Sequence, residues 1–101
     1  MKKMKEFRKI SVIGLGLIAS SICLTLRQKD PTIKLTGYDK DKVIRNRAKK
    51  IGLCKVESNL DNAVSGSQLI VLCVPVGQMQ AVTQRLKKII EPGTTITDVG
   101  S

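Results

Sequence analysis

Lys9-Ile-Ser-Val-Ile is a short, β-branched run that ends in glycine, and Gly14-Leu-Gly16-Leu-Ile-Ala19 carries it into a segment of helical character over 17–27. A strand that bends into a helix through G-x-G-x-x-A leaves few folds open, because each small residue has a physical job. Gly14 permits the tight turn. Gly16 has no side chain, so a diphosphate can approach the backbone, and Ala19 is small enough for helix and strand to pack closely. Free N–H groups of the turn, those of Leu15, Leu17 and Ile18 among them, then face the anion together with the positive end of the helix dipole. A carboxylate follows at matching distance. Asp39 ends the next predicted strand, 20 residues after Ala19, where it is placed to accept hydrogen bonds from ribose hydroxyls. In the plainer alternative, the glycines only shape a turn and Asp39 only caps the next helix. That alternative does not require strand, glycine turn, helix and carboxylate to fall within one unit, as they do here.

Beyond the turn the chain keeps alternating. Ile18, Ile22 and Leu26 share a stripe on the first helix, which Asp30-Pro31 closes because the residue before proline is pushed out of the helical region. A second strand spans 33–38 and a second helix 42–51, with Ile44, Ala48 and Ile51 expected inward, Asp41 as N-cap and Gly52 as stop. A short strand over 54–57 and a short helix over 60–64, led by Ser58 or Asn59, come next. Gln68 to Val74 is the most apolar stretch and reads as a strand covered on both faces. An amphipathic helix over 78–90 turns Met79, Val82, Leu86, Ile89 and Ile90 to one side. Glu91-Pro92-Gly93-Thr94 is a turn, and 95–99 is a fifth strand. Strand alternating with helix predicts an α/β, Rossmann-type, doubly wound parallel sheet of about five strands with right-handed crossovers. The expected organisation is one domain over 9–101 preceded by a basic extension, 1–8.

Charge and composition narrow the chemistry. There are 18 Lys+Arg, 8 Asp+Glu and no His, so the chain has neither the commonest general base at neutral pH nor the commonest metal ligand; no metal site is expected. Cys23, Cys54 and Cys73 form no C-x-x-C pair and suit a reducing, cytoplasmic setting; Cys23 and Cys73 are expected as core residues and Cys54 as more exposed. The basic start followed by uncharged Ile10 to Leu26 has the outline of an export signal, but strand, turn and helix account for its glycines as well as its hydrophobicity. No membrane association is expected. The net charge of +10 gathers at 2–9 and 40–55, yet one Tyr and one Phe make no stacking platform. A solvated face is expected there, with no specific nucleic-acid partner. Asp39 predicts NAD, since a 2′-phosphate would sit against a carboxylate; NADP is the second candidate because Lys40, Lys42 and Arg45 stand near enough to pair with that phosphate.

With these residues in view, the chain resembles the prephenate and arogenate dehydrogenases of tyrosine biosynthesis. Ile10 to Ile22 reads I-S-V-I-G-L-G-L-I-A-S-S-I, close to that family's opening, and Gly37-Tyr38-Asp39, Val74-Pro75-Val76 and Thr97-Asp98-Val99-Gly100-Ser101 match its later strand ends. The resemblance covers nearly all of the chain, and Ala19-Ser20 departs from it by replacing a Gly-Gly pair with two other small residues. It implies an oxidoreductase that decarboxylates prephenate or arogenate oxidatively while hydride passes to NAD(P)+. It also implies roles: Gly14, Gly16 and Ala19 at the pyrophosphate, Asp39 at the adenosine ribose, Val74 and Pro75 along the nicotinamide-ribose side, and Ser101 at the junction of substrate and nicotinamide. For Pro75, termination of the strand is an equal reading.

The family's catalytic histidine, and the helical domain that carries dimerisation and much of the substrate pocket, lie beyond its equivalent of Ser101. The 101 residues alone are therefore expected to bind cofactor without turnover, and a homodimer is expected only of the complete enzyme. A sheet incomplete relative to the family is expected to leave its fifth strand as an open edge, inviting self-association or marginal stability. Two alternatives stand beside this one: the cofactor domain of a 3-hydroxyacid-type dehydrogenase, and a non-enzymatic dinucleotide-binding module.

Overall fold

The structure is a computed structural model and describes residues 7–99; Lys2, Lys3 and Lys5 of the basic extension, and Gly100 and Ser101, lie outside the described residues. Nine elements alternate along the chain: β1 (Lys9–Ile13), α1 (Leu17–Lys29), β2 (Lys34–Tyr38), α2 (Lys42–Lys50), β3 (Lys55–Val56), α3 (Leu60–Val64), β4 (Leu69–Leu72), α4 (Val76–Ile89) and β5 (Thr95–Asp98). All four strand pairings are parallel and the sheet order is β3-β2-β1-β4-β5. The chain thus winds outward from β1 to one edge, returns, and winds outward from β4 to the other. Order reverses between β1 and β4, the place where open α/β sheets form a crevice at the carboxyl ends of their strands.

The period-two alternation of the strands sorts the core into two layers. Ile10, Val12, Leu69 and Val71 point to the side covered by Ala19, Cys23 and Leu26 of α1 and Ala48 of α2. Ile13, Ile70 and Leu72 point to the other, against Leu60, Ala63 and Val64 of α3 and Leu86 of α4. This is a Rossmann-type doubly wound sheet. Phe7, which the sequence reading groups with the basic extension, is only 5 % exposed and packs into the first layer.

Several sequence expectations shift. The stripe of α1 that faces the sheet is Ala19, Cys23 and Leu26, while Ile18 is 46 % exposed; small side chains let the helix lie close to the strands. Ile51 is 61 % exposed rather than inward, because it is the C-cap of α2 and the chain reverses after it. Gly52 takes φ +67° and donates its N–H to Lys49 O, and Leu53 donates to Ala48 O; Leu53 then fills the core position beside Ala48. This is a Schellman closure with its hydrophobic contact, and glycine accommodates the positive φ without strain. Asp41 caps α2 as expected, its carboxylate accepting from Val43 N–H at 2.9 Å, and Asn59 rather than Ser58 caps α3.

One side chain breaks the apolar pattern of β1. Ser11 is fully buried on the α3 side, where its hydroxyl hydrogen-bonds Thr36 Oγ1, Ser67 Oγ and Ala63 O. Thr36 also donates to Ala63 O at 2.7 Å, so each buried hydroxyl has a partner and α3 is tied to the middle of the sheet.

Candidate functional site

β1 runs straight into its turn. Gly14 N–H donates to Tyr38 O at 2.8 Å and Cys73 N–H donates to Ile13 O at 2.7 Å, so the backbones of β2, β1 and the end of β4 stay together past the last strand residues. Gly14 has φ +91°, and a Cβ there would lie 2.7 Å from Cys73 O and 3.2 Å from Val74 Cγ1. Both conformation and space demand glycine. Gly16, the N-cap of α1, has ordinary extended backbone, and a Cβ there would meet nothing within 4 Å. Its lack of a side chain leaves open space against the backbone at the start of a 13-residue helix. No side chain caps α1, and no acidic residue lies in its first turn. An uncapped N-terminus with an open approach is what an anionic group requires.

Asp39 lies at the end of the neighbouring strand. Its Oδ2 accepts the Leu15 N–H at 2.9 Å and its Oδ1 accepts the Asp41 N–H at 2.9 Å. The carboxylate therefore holds the glycine turn in shape, a role that its spacing from Ala19 does not reveal. It also takes Leu15 out of the set of free amides expected from the sequence, and the Leu15 side chain is core, 1 % exposed. Each carboxylate oxygen retains capacity for another donor. Arg45 donates to Asp39 O at 2.8 Å and Lys40 O at 3.2 Å, with its guanidinium 5.8 Å from the centre of the Tyr38 ring. It is committed to the shape of this loop.

A crevice of about 360 Å³ opens where β1, β2 and β4 end, and Gly14, Gly16, Asp39, Val74 and Pro75 border it together. Ala19, Leu17 and Ile18 do not. Ala19 is fully buried between α1 and the sheet, whereas Leu17, 84 % exposed, and Ile18 stand on the outer first turn of α1. Pro75 is the N-cap of α4, which starts at Val76, two residues before the amphipathic pattern predicts, and Gln78 N–H donates to Pro75 O at 2.9 Å. Gln78 thereby joins the crevice wall, as do Tyr38 and Ile44. Pro75 stands at the junction between β4 and α4, in keeping with its reading as a strand terminator. Cys73 also borders the crevice, and burial pushes its thiol up to about 11, so it is neutral near pH 7. A larger hollow, about 600 Å³, lies beside the C-terminal half of α1 and is bordered by Arg27 and Cys54. It is away from the strand carboxyl ends, where this fold binds ligands. Ser101 lies outside the described residues. Among the described residues, no helix is long and apolar enough to cross a membrane.

Comparison with known proteins bears on this geometry. Residues 22–101 match the family model described as prephenate dehydrogenase, nucleotide-binding domain. The cyclohexadienyl dehydrogenase of Zymomonas mobilis subsp. mobilis is 34 % identical over 99 residues, covering 97 % of this chain and 34 % of that protein. The prephenate dehydrogenase of Lactococcus lactis subsp. cremoris is 33 % identical over 95 residues, covering 93 % of this chain and 27 % of the relative. Among solved structures, prephenate dehydrogenase from A. aeolicus in complex with hydroxyphenyl propionate and NAD+ superposes with a TM-score of 0.84 at 21 % identity, over 93 % of this chain and 34 % of that one. The chain thus spans about a third or less of the length of these relatives. With the family model matched over most of its residues, and with the strand order and glycine turn described above, the chain belongs to the prephenate dehydrogenase nucleotide-binding domain family.

Proposed function

We propose that the chain binds NAD+ in the β1–β4 crevice and forms the nucleotide-holding part of an enzyme that oxidatively decarboxylates prephenate or arogenate. The observation that carries this reading is the open space over Gly16 at the uncapped start of α1, with the Asp39 carboxylate one strand away. When bound, the nicotinamide would accept the hydride that leaves the hydroxyl-bearing ring carbon as carbon dioxide is lost and the ring becomes aromatic. The chain's own residues would hold and orient. The first-turn amides of α1 would take the pyrophosphate, and the free lone pairs of Asp39 would accept the adenosine ribose hydroxyls. Val74 and Pro75 would wall the nicotinamide-ribose side and exclude water there. Ser101 is the candidate contact at the substrate junction.

Asp39 supports NAD+ over NADP+, because a 2′-phosphate would face a carboxylate already held in place by two backbone N–H groups. Arg45, turned to the carbonyls of Asp39 and Lys40, is not positioned as a phosphate partner. The cyclohexadienyl and prephenate dehydrogenase relatives support the ring-acid substrate. The enzyme of full family length would act as a homodimer in the cytoplasm, a setting with which three free cysteines agree.

Calorimetric titration of the purified chain tests the reading. NAD+ should give a saturable isotherm at or below millimolar levels, several-fold tighter than NADP+. Absence of binding by either dinucleotide would overturn the assignment of the crevice, and tighter NADP+ would overturn the role given to Asp39.

A further inference from the structure

We propose that Gln78 recognises the purine edge of the dinucleotide, so that the β1–β4 crevice selects adenine over hypoxanthine. This inference rests on the NAD+ reading of that crevice and adds a base-recognising side chain to it. Gln78, Val82 and Leu86 fall at i, i+4 and i+8 on α4, which places them on one stripe of the helix. Leu86 is fully buried, and Val82 packs against the same core layer. Followed back toward the start of α4, the stripe runs off the sheet, and both Val82 and Gln78 border the crevice. Gln78 is thus a polar, half-buried residue on a stripe whose other members are apolar.

Covalent connectivity locates the base. With the pyrophosphate at the first turn of α1 and the ribose at Asp39, the base begins one glycosidic bond beyond that carboxylate. Two walls of the crevice flank this position: Tyr38 and Ile44 on the side of β2 and α2, Gln78 and Val82 on the side of α4. Ile44 and Val82 offer apolar surface to a flat ring, which leaves its polar edge to be met by a side chain of the same walls. A base that enters such a crevice and finds no partner for that edge loses the hydrogen bonds it made to water.

Gln78 is the side chain equipped for it. The carboxylates of Asp39 and Asp41 already accept backbone N–H groups, and Lys40 only donates. The Gln78 N–H donates to Pro75 O, which fixes its backbone at the head of α4, yet among the described residues its carboxamide has no hydrogen-bond partner. A carboxamide presents an acceptor oxygen and an N–H donor side by side. Adenine presents the complement, an N6 amino donor beside the N7 acceptor, and glutamine pairs with both at once. Hypoxanthine carries oxygen in place of the amino group, so the same edge holds two acceptors. One of the two bonds is then lost, and the carboxamide oxygen faces another acceptor.

Paired calorimetric titrations with NAD+ and nicotinamide hypoxanthine dinucleotide test the proposal, since the two probes differ only at the base. The unaltered chain should bind NAD+ about five- to a hundredfold more tightly. Leucine suits both the helix and its apolar stripe, so Gln78→Leu should keep the fold. In that variant NAD+ should weaken to the level of the hypoxanthine dinucleotide, whose own affinity should hold within about twofold. Equal affinity of the unaltered chain for the two probes would overturn the proposal, with no variant needed, and would leave the NAD+ reading standing. A preference that survives in Gln78→Leu would overturn the role of Gln78. Binding of neither probe by the unaltered chain would overturn the NAD+ reading and this inference with it.

Discussion

At the strand end of the β1–α1 turn, a Cβ on Gly14 would fall 2.7 Å from a neighbouring carbonyl oxygen; at the helix end, a Cβ on Gly16 would meet nothing within 4 Å. The same residue type, two positions apart, thus answers to two different constraints. Gly14 is required by the fold, because β1 and β4 converge at the reversal of strand order and the backbone there has a positive φ. Gly16 is not required by the fold: its backbone is extended and its surroundings are open. At Gly16 the protein's own atoms set no such demand, which leaves room for the dinucleotide approach proposed above. The difference separates a glycine that the fold requires from one that it leaves open within a single motif, which the letters G-x-G do not.

Substitution can break that contrast. Gly14→Ala carries the largest expected effect: strain at positive φ together with contact against backbone should cost about 3 kcal/mol of stability. Urea unfolding should show the midpoint falling with little change in slope, and dinucleotide binding should be lost along with the fold. Unchanged stability would mean that the two strand ends can part without cost. Gly16→Val should do the reverse. Its backbone suits any residue, so loss of the glycine N-cap should cost about 1 kcal/mol or less, while a side chain in the approach to the α1 amides should weaken NAD+ binding about ten- to a hundredfold. If Gly16→Val bound NAD+ as tightly as the unaltered chain, the open space would have no bearing on the ligand.

What was legible in the sequence follows the same division. Signals that act within one element or across one turn came through: the glycine turn, the Asp41 cap, the Gly52 stop and the doubly covered run at β4. Their physics is local, so spacing suffices. Contacts that need tertiary closure did not come through. Nothing in the spacing from Ala19 to Asp39 shows that the carboxylate also accepts the Leu15 N–H. Nor does the spacing show that the Arg27 guanidinium reaches across to Gly52 O. Ile18 and Ile51 were misplaced for a simpler reason: both are large and apolar, and hydrophobicity favours placing them inward. Small residues, Ala19 and Cys23, occupy the close helix–sheet contact instead, and Leu53 takes the place expected of Ile51. The early start of α4 was obscured because Pro75 reads as the end of a strand, whereas it is the N-cap of the helix.

Asp39→Asn carries the smallest expected effect and bears on both ends of the turn, since Leu15 lies between the two glycines and its N–H is held by the carboxylate. The amide keeps one acceptor oxygen for two backbone donors, so one of the bonds to Leu15 or Asp41 must weaken, at a cost of about 1 kcal/mol. Removing the negative charge also removes its repulsion of a 2′-phosphate, so the preference for NAD+ over NADP+ should narrow several-fold. Thermal unfolding and paired titrations would report the two effects separately. A narrowed preference at unchanged stability would assign Asp39 to the ligand alone. Lost stability at unchanged preference would assign it to the turn alone. The carboxylate's position, bonded to the turn and facing the crevice, calls for both to move together.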